Sequence, residues 1–228
     1  MGGRTLPLML GAGATPRPVT ISQLVIAGWT GRDAANVETH IRELELLGVR
    51  RPASIPAFYR ISVARLALQD SIEVAGARSS GEAEVALLQS DGRLWVGTGS
   101  DHTDRDVEAY DVTVSKQMCD KPLAPQFWPF DEVRAHWDAL RLRSYVQEGN
   151  LLVAYQEGSV AEFREPHDLI RSFTGADALP EETLMFCGTL SARGGIRAAE
   201  TFVFELEDPV LKRKIRHQYR AISLPIAG

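Results

Sequence analysis

Apolar positions along the chain change period several times, and the changes divide it into elements. Residues 82–89 alternate with a period of two, placing Ala83, Val85 and Leu87 on one strand face and Glu82 and Glu84 on the other. Asp91-Gly92 then supplies a two-residue turn, so 82–89 and 94–99 predict a hairpin whose return brings Asp101 beside the two glutamates. Upstream, Leu24 to Ala27 predicts a short strand, and Gly28-Trp29-Thr30-Gly31 leads into a helix from about Arg32 to Leu47, ended by Gly48. Val37, Ile41, Leu44 and Leu47 recur at helical spacing as its buried stripe, with His40 and Glu43 together on one border. Pro52 and Pro56 forbid further helix and leave an extended segment carrying Phe58, Tyr59 and Arg60.

After the hairpin, Thr103 is placed to cap a helix from near Asp104 to about Tyr110, followed by an extended segment reaching Lys116. Arg143–Gln147 and Leu151–Gln156 flank Glu148-Gly149-Asn150 as a second hairpin, and residues 166–173 predict a short helix. Strand patterns recur at 183–189, 201–206 and about 215–224. Strands outnumber helices, which predicts an α+β, predominantly β fold, a mixed β-sandwich or roll with peripheral helices. No internal repeat or low-complexity tract interrupts it. Residues 1–20 read as a flexible N-terminal arm and 21–228 as a single domain, because no linker-like stretch divides them.

Composition narrows the function classes. A net charge of -5 over 228 residues argues against nucleic acid or an anionic membrane as partner, since both select a basic surface. The basic run Lys212–His217 is short and reads as a solvated strand or turn. The Arg4, Leu-Pro-Leu-Met-Leu start faintly imitates a signal peptide but is broken by Pro7, and no stretch approaches the roughly 20 apolar residues of a membrane span. Cys119 and Cys187 lack zinc-ligand spacing, and a reducing cytoplasm is the expected location. Gly194-Gly195 has no P-loop Lys and Ser/Thr after it and reads as a turn.

Two carboxylates on one strand face are costly unless one is protonated or a cation lies between them, and Asp101 adds a third oxygen donor. An all-carboxylate set selects a hard ion, Mg²⁺ or Mn²⁺, with Ca²⁺ admitted by the same oxygens. The competing reading is a polar strand face in solvent. His40 and Glu43 taken alone fit an ordinary helix-surface pair. His102 follows Asp101 and alternation tends to turn it away from the metal, which leaves it a structural residue or a support for the metal's ligands; Asp104 and Asp106 fit helix-start carboxylates. His136, His167 and His217 have no partner spacing, and Phe127, Trp128 and Trp137 fit the core or an interface.

The ordered series Gly31-Arg32-Asp33, His40-Ile-Arg-Glu43, Glu82-Ala-Glu84, Asp101-His-Thr-Asp-Arg105-Asp106, Lys116 and Gly188-Thr189 resembles the catalytic domain of the fumarylacetoacetate hydrolase superfamily. Its wording is closest to an uncharacterised bacterial domain-of-unknown-function branch. The resemblance implies the superfamily's C-terminal catalytic fold and a divalent-metal-dependent enzyme. It would hydrolyse a carbon-carbon bond in a small oxo-acid or 1,3-dicarbonyl compound resembling an acylpyruvate. Decarboxylation, isomerisation and hydration share the scaffold, and a non-catalytic ligand-binding member is the rival from another class. By resemblance, Glu82, Glu84 and Asp101 hold the metal and His40, Glu43 and Lys116 are catalytic, with Arg60, Arg105, Glu108 and Thr189 contacting substrate. A homodimer is expected on the same ground. This chain departs from the pattern in Leu190 after Gly188-Thr189, in Arg60 where many members place Lys, and in a short Asp101–Lys116 interval.

Overall fold

A computed structural model describes residues 2–46 and 51–227, apart from the side chains of His40, Glu43, Leu44 and Leu46. Two β-sheets dominate. The larger has eight strands, in the order Arg17–Ile21, Arg4–Leu10, Gln126–Pro129, Arg93–Ser100, Ala83–Ser90, Thr183–Thr189, Gln23–Gly28 and Ala57–Ile61. The smaller has five, in the order Leu151–Ser159, Arg141–Glu148, Thr201–Asp208, Arg213–Leu224 and Ser71–Ala75. Both mix parallel with antiparallel pairs: Thr183–Thr189 runs parallel to Gln23–Gly28 and antiparallel to Ala83–Ser90. The predominantly β roll predicted from strand spacing is the architecture observed.

Two apolar clusters follow from strand alternation. Val85, Leu87, Val96 and Met185 of the large sheet meet Leu142, Phe202, Phe204 and Tyr219 of the small one. The opposite face of the large sheet contributes Leu6, Leu8, Ile21, Ile26, Ile61, Leu88, Phe127 and Phe186 to a second cluster. All eight strands of that sheet supply this second cluster, so the sheet curls round its own apolar face. Ala83–Ser90 is consequently buried along its whole length. A carboxylate on it cannot lie in water.

The N-terminal expectation is corrected. Residues 4–10 and 17–21 are not a mobile arm but paired strands, with Leu6, Leu8, Leu10, Val19 and Ile21 buried. Pro7 and Pro18 stand directly opposite each other in the register. The Met9 and Gly11 N–H groups, on the same side of the strand as the Pro7 nitrogen, donate to Pro125 and Phe127, so Pro7 removes no donor from the pairing with Arg17–Ile21.

The helix predicted over 32–47 spans Ala34–Leu46, and Ile41 is buried as its stripe requires. The predicted stop at Gly48 and the stripe position Leu47 lie outside the described residues. The hairpin Ala83–Ser90/Arg93–Ser100 turns on Asp91 at φ 56° and Gly92 at φ 69°, the paired positive angles a two-residue turn of this hand demands. After it, Asp104 rather than Thr103 caps the helix Arg105–Tyr110, accepting from the Val107 N–H. The extended segment expected up to Lys116 is instead a second helix, Val112–Met118, capped by Asp111. Back-to-back Asp caps three residues before a free N–H are the signal that reading passed over. Among the described residues no helix is long and apolar enough to cross a membrane.

Candidate metal and oxo-acid site

The hairpin places its acids as alternation and the turn together require. The Asp101 N–H donates to the Glu82 carbonyl at 2.9 Å, and the Glu82 N–H reaches Ser100 Oγ at 3.2 Å, fixing the strand ends side by side. Carboxylate oxygens of Glu82, Glu84 and Asp101 lie within 4.8 Å of one another. Glu84 is 2% exposed and Asp101 is fully buried, which excludes the solvated-face reading for these two acids.

A defect in the neighbouring strand holds Glu84. Pairing of Thr183–Thr189 with Ala83–Ser90 slips between Phe186 and Thr189, and this bulge turns the Gly188 N–H onto Glu84 Oε2 at 2.7 Å. Gly188 adopts φ +104°, and a Cβ there would meet Thr30 Oγ1 at 1.9 Å. Thr30 itself donates to the Cys187 carbonyl at 2.8 Å, which ties the helix entrance to the bulge.

Cations ring the acids. Lys116, in the last turn of its helix, forms an ion pair with Asp101 Oδ2 and lies 3.5 Å from Glu82 Oε2. Arg105 Nη1 donates to Glu82 Oε1 at 3.0 Å and to Glu108 Oε2 at 2.7 Å, while its Nε donates to Ser80 Oγ at 2.7 Å. The structure adds Lys121, which sequence reading did not single out. Its fully buried Nζ lies 2.8 Å from Asp101 Oδ1 and donates to the His102 carbonyl at 2.7 Å. A lone lysine between Asp120 and Pro122 gives no periodic signal, and only the tertiary packing shows that it faces Asp101.

The electrostatics follow from this packing. Burial and then the Asp101 charge push the Glu84 carboxyl well above the usual carboxylate range. Burial would raise Asp101 too, but Lys116 and Lys121 outweigh it and hold the group at about 2. Burial works against the Lys116 ammonium, yet Asp101, Glu82 and Glu84 raise its pKa above the ordinary lysine value. His102 is held between Tyr219 OH and Ser79 Oγ, each at 2.8 Å, and burial followed by Lys121 and Arg105 pulls it down to about 3. It stays neutral and braces the strand end, the structural role that alternation predicts.

The donor set suits a hard divalent ion. Every donor is a carboxylate oxygen, and buried Asp101 Oδ1 accepts no well-directed hydrogen bond despite the nearby Lys121.

Other sequence candidates fall differently. Glu108 joins the cluster through Arg105. Thr189 Oγ1 donates to the Ala83 carbonyl and accepts from Gln156 Nε2, so its hydroxyl is committed to holding strands together rather than offered to a substrate. Arg60 is exposed, donates to the Ser22 carbonyl at 3.2 Å, and has no described bond to the acidic trio; it is not brought into the site. Its strand neighbour Tyr59 faces inward instead, with its ring centroid 6.0 Å from Lys116 Nζ. Burial first, opposed by a hydrogen bond with Trp29, leaves the Tyr59 phenol above its ordinary value. Period two allows one of the adjacent pair Tyr59 and Arg60 to face the site, and the aromatic residue takes that side. The side chains of His40 and Glu43 lie outside those described.

A family model described as "Protein of unknown function (DUF2848)" matches residues 27–219. No curated protein matches the sequence. Among solved structures, 2-keto-3-deoxy-D-arabinonate dehydratase complexed with magnesium and 2,5-dioxopentanoate superposes with TM-score 0.64 at 15% identity, over 93% of this chain and 78% of that one. Fumarylpyruvate hydrolase from Pseudomonas aeruginosa, in complex with Mn²⁺ and pyruvate, gives 0.63 at 14% identity over 96% and 97%. Yeast ynq8, a fumarylacetoacetate hydrolase family protein, gives 0.64 at 13% over 91% and 95%.

Proposed function

From the premise that this chain belongs to the DUF2848 family and has the fold of fumarylacetoacetate hydrolase family proteins, we propose that it is a divalent-metal-dependent enzyme acting on a small oxo-acid or 1,3-dicarbonyl compound. The observation that carries this reading is the buried trio Glu82, Glu84 and Asp101 with Arg105 and Lys116 against it. Acids and cations so juxtaposed provide for a metal and for an anionic ligand at once. Glu82, Glu84 and Asp101 would hold Mg²⁺ or Mn²⁺, which when bound supplies a Lewis acid for the substrate's oxygens. Both similar structures named with a metal also carry a small oxo compound, 2,5-dioxopentanoate in one and pyruvate in the other.

The leading reaction is hydrolysis of a carbon-carbon bond. In this reading, one imidazole nitrogen of His40 takes a proton from the attacking water while Glu43 accepts a hydrogen bond from the other, fixing the tautomer. Water adds to the carbonyl carbon, the adjacent carbon-carbon bond breaks, and its electron pair is protonated on the departing carbon. Arg105 and Lys116 oppose the negative charge of the substrate, and Tyr59 forms a wall beside Lys116. His102, braced and neutral, takes no part as a base. A lyase is the second reading, favoured by the dehydratase among the similar structures; it uses the same cations but needs no attacking water.

Turnover of acylpyruvates, oxaloacetate and related oxo-acids with Mg²⁺ or Mn²⁺, against the same protein in chelator, tests the proposal. Metal-dependent cleavage of at least one compound is expected. Absence of both metal binding and turnover across the set refutes it.

A further inference from the structure

We propose that Lys116 is a built-in occupant of the cation site, which a divalent ion must displace and whose freed ammonium then serves the anionic substrate. The inference rests on the reading that Glu82, Glu84 and Asp101 bind a metal.

The position of Nζ is the first ground. It sits against Asp101 Oδ2 and 3.5 Å from Glu82 Oε2, two of the three acids whose oxygens gather within 4.8 Å. An ammonium and a metal ion compete for those same oxygens. The second ground is the way the two lysines are held. Lys121 is fully buried, lies in a strand, and is pinned by the His102 carbonyl as well as Asp101. Lys116 has its one described hydrogen bond to Asp101 and is 8% exposed, at the end of a helix that is itself anchored elsewhere, through Ser115 Oγ to the Asp104 carbonyl at 2.6 Å. Its four-carbon stem can carry Nζ away while the helix stays in place. The Tyr59 ring, centroid 6.0 Å from Nζ, offers the displaced ammonium an aromatic face.

Charge makes the exchange necessary. Glu82, Glu84, Asp101 and Glu108 face Lys116, Lys121 and Arg105, so the formal charges nearly cancel without any metal. A divalent ion added beside an unmoved Lys116 would place like charges in contact. Once Lys116 withdraws, an anionic oxo-acid neutralises it, so metal and substrate strengthen each other's binding, and by linkage the effect is mutual.

The test is Mn²⁺ titration by calorimetry of the whole protein as unmodified chain, Lys116→Met and Lys116→Arg, with circular dichroism as the check of folding. Lys116→Met is expected to bind Mn²⁺ at least tenfold more tightly than the unmodified protein, and Lys116→Arg to remain within a few-fold of it. Pyruvate should tighten Mn²⁺ binding in the unmodified protein and do so less in Lys116→Met. If Lys116→Met binds Mn²⁺ no more tightly than the parent, the inference falls while the metal site stands. If none of the three proteins binds Mn²⁺, the metal reading itself falls and takes the inference with it. Should Lys116→Met fail to fold, acetylation of the unmodified protein decides: Mn²⁺ is expected to raise the modification rate of Lys116 relative to Lys121, and an unchanged ratio overturns the proposal.

Discussion

Gly188→Ala should be among the costliest single-methyl additions in the protein, and its cost can be built from the geometry. Gly188 sits at φ +104°, where a residue with a Cβ pays about 1–3 kcal/mol of backbone strain. The new methyl would meet Thr30 Oγ1 at 1.9 Å and Thr30 Cβ at 3.2 Å, an overpacking that costs about another 1–3 kcal/mol. If Thr30 rotates aside, its 2.8 Å bond to the Cys187 carbonyl is lost, worth about 0.5–1.5 kcal/mol. Strain and overpacking together come to about 2–6 kcal/mol, a large share of the roughly 5–15 kcal/mol that holds a typical domain folded. Urea unfolding followed by tryptophan fluorescence measures it. Thr30→Ala removes the hydroxyl but not the backbone strain, so Gly188→Ala should cost about 1–3 kcal/mol less in that background than alone. A loss below about 1 kcal/mol for Gly188→Ala, or no coupling to Thr30, would refute the account of the bulge.

Glu84→Ala should abolish the thermal stabilisation conferred by saturating Mn²⁺, which for an intact site at a hundredfold excess over Kd is about 2.7 kcal/mol; differential scanning calorimetry with and without metal checks it. Arg105→Met should raise KM or Kd for an anionic oxo-acid by about 10–100-fold, the worth of a charged hydrogen bond, while Mn²⁺ still binds in calorimetry. His40→Ala should lower hydrolytic turnover by roughly 10²–10⁴-fold with metal affinity retained, and full activity at every pH would remove it from the mechanism. Away from the site, burial would raise Asp208, but the Leu211 N–H, His136 and Arg213 outweigh it and depress the group. A depressed carboxyl contributes stability that is present above its unfolded pKa and lost as pH falls through its folded one. Asp208→Asn should therefore destabilise the protein at neutral pH and flatten that acid-side decline, read as urea midpoints across pH.

The central hairpin was legible because two local signals agreed, the period-two alternation and Asp91-Gly92, and their agreement places Asp101 beside Glu82 without long-range information. The surroundings of those acids were less so. That Ala83–Ser90 is buried on both faces depends on the large sheet curling round Leu6, Leu8, Phe127 and Phe186, residues remote in sequence from the hairpin. The opening residues were misread because Pro7 and the clustered glycines argued for irregular chain, while the alternation of Leu6, Leu8 and Leu10 carried the strand. Lys121 and Tyr59 were missed for a different reason: each reaches the site by tertiary packing, and a lone lysine or aromatic residue has no spacing of its own to give it away.

The place of Thr183–Thr189 in the large sheet bears on how the protein is made. It bonds on one side to Ala83–Ser90 and on the other to Gln23–Gly28, strands synthesised long before it. Without it, the large sheet is divided into five strands and two, and the facing edges, Ala83–Ser90 and Gln23–Gly28, are left unpaired. Those edges can template pairing with other chains, and closing so long a loop is slow. The strand that carries the Gly188 bulge is thus also the last keystone of the sheet. Nascent chains stalled short of it should aggregate or recruit holdases, and the face that packs on Phe202, Phe204 and Tyr219 is covered only when the last two strands follow.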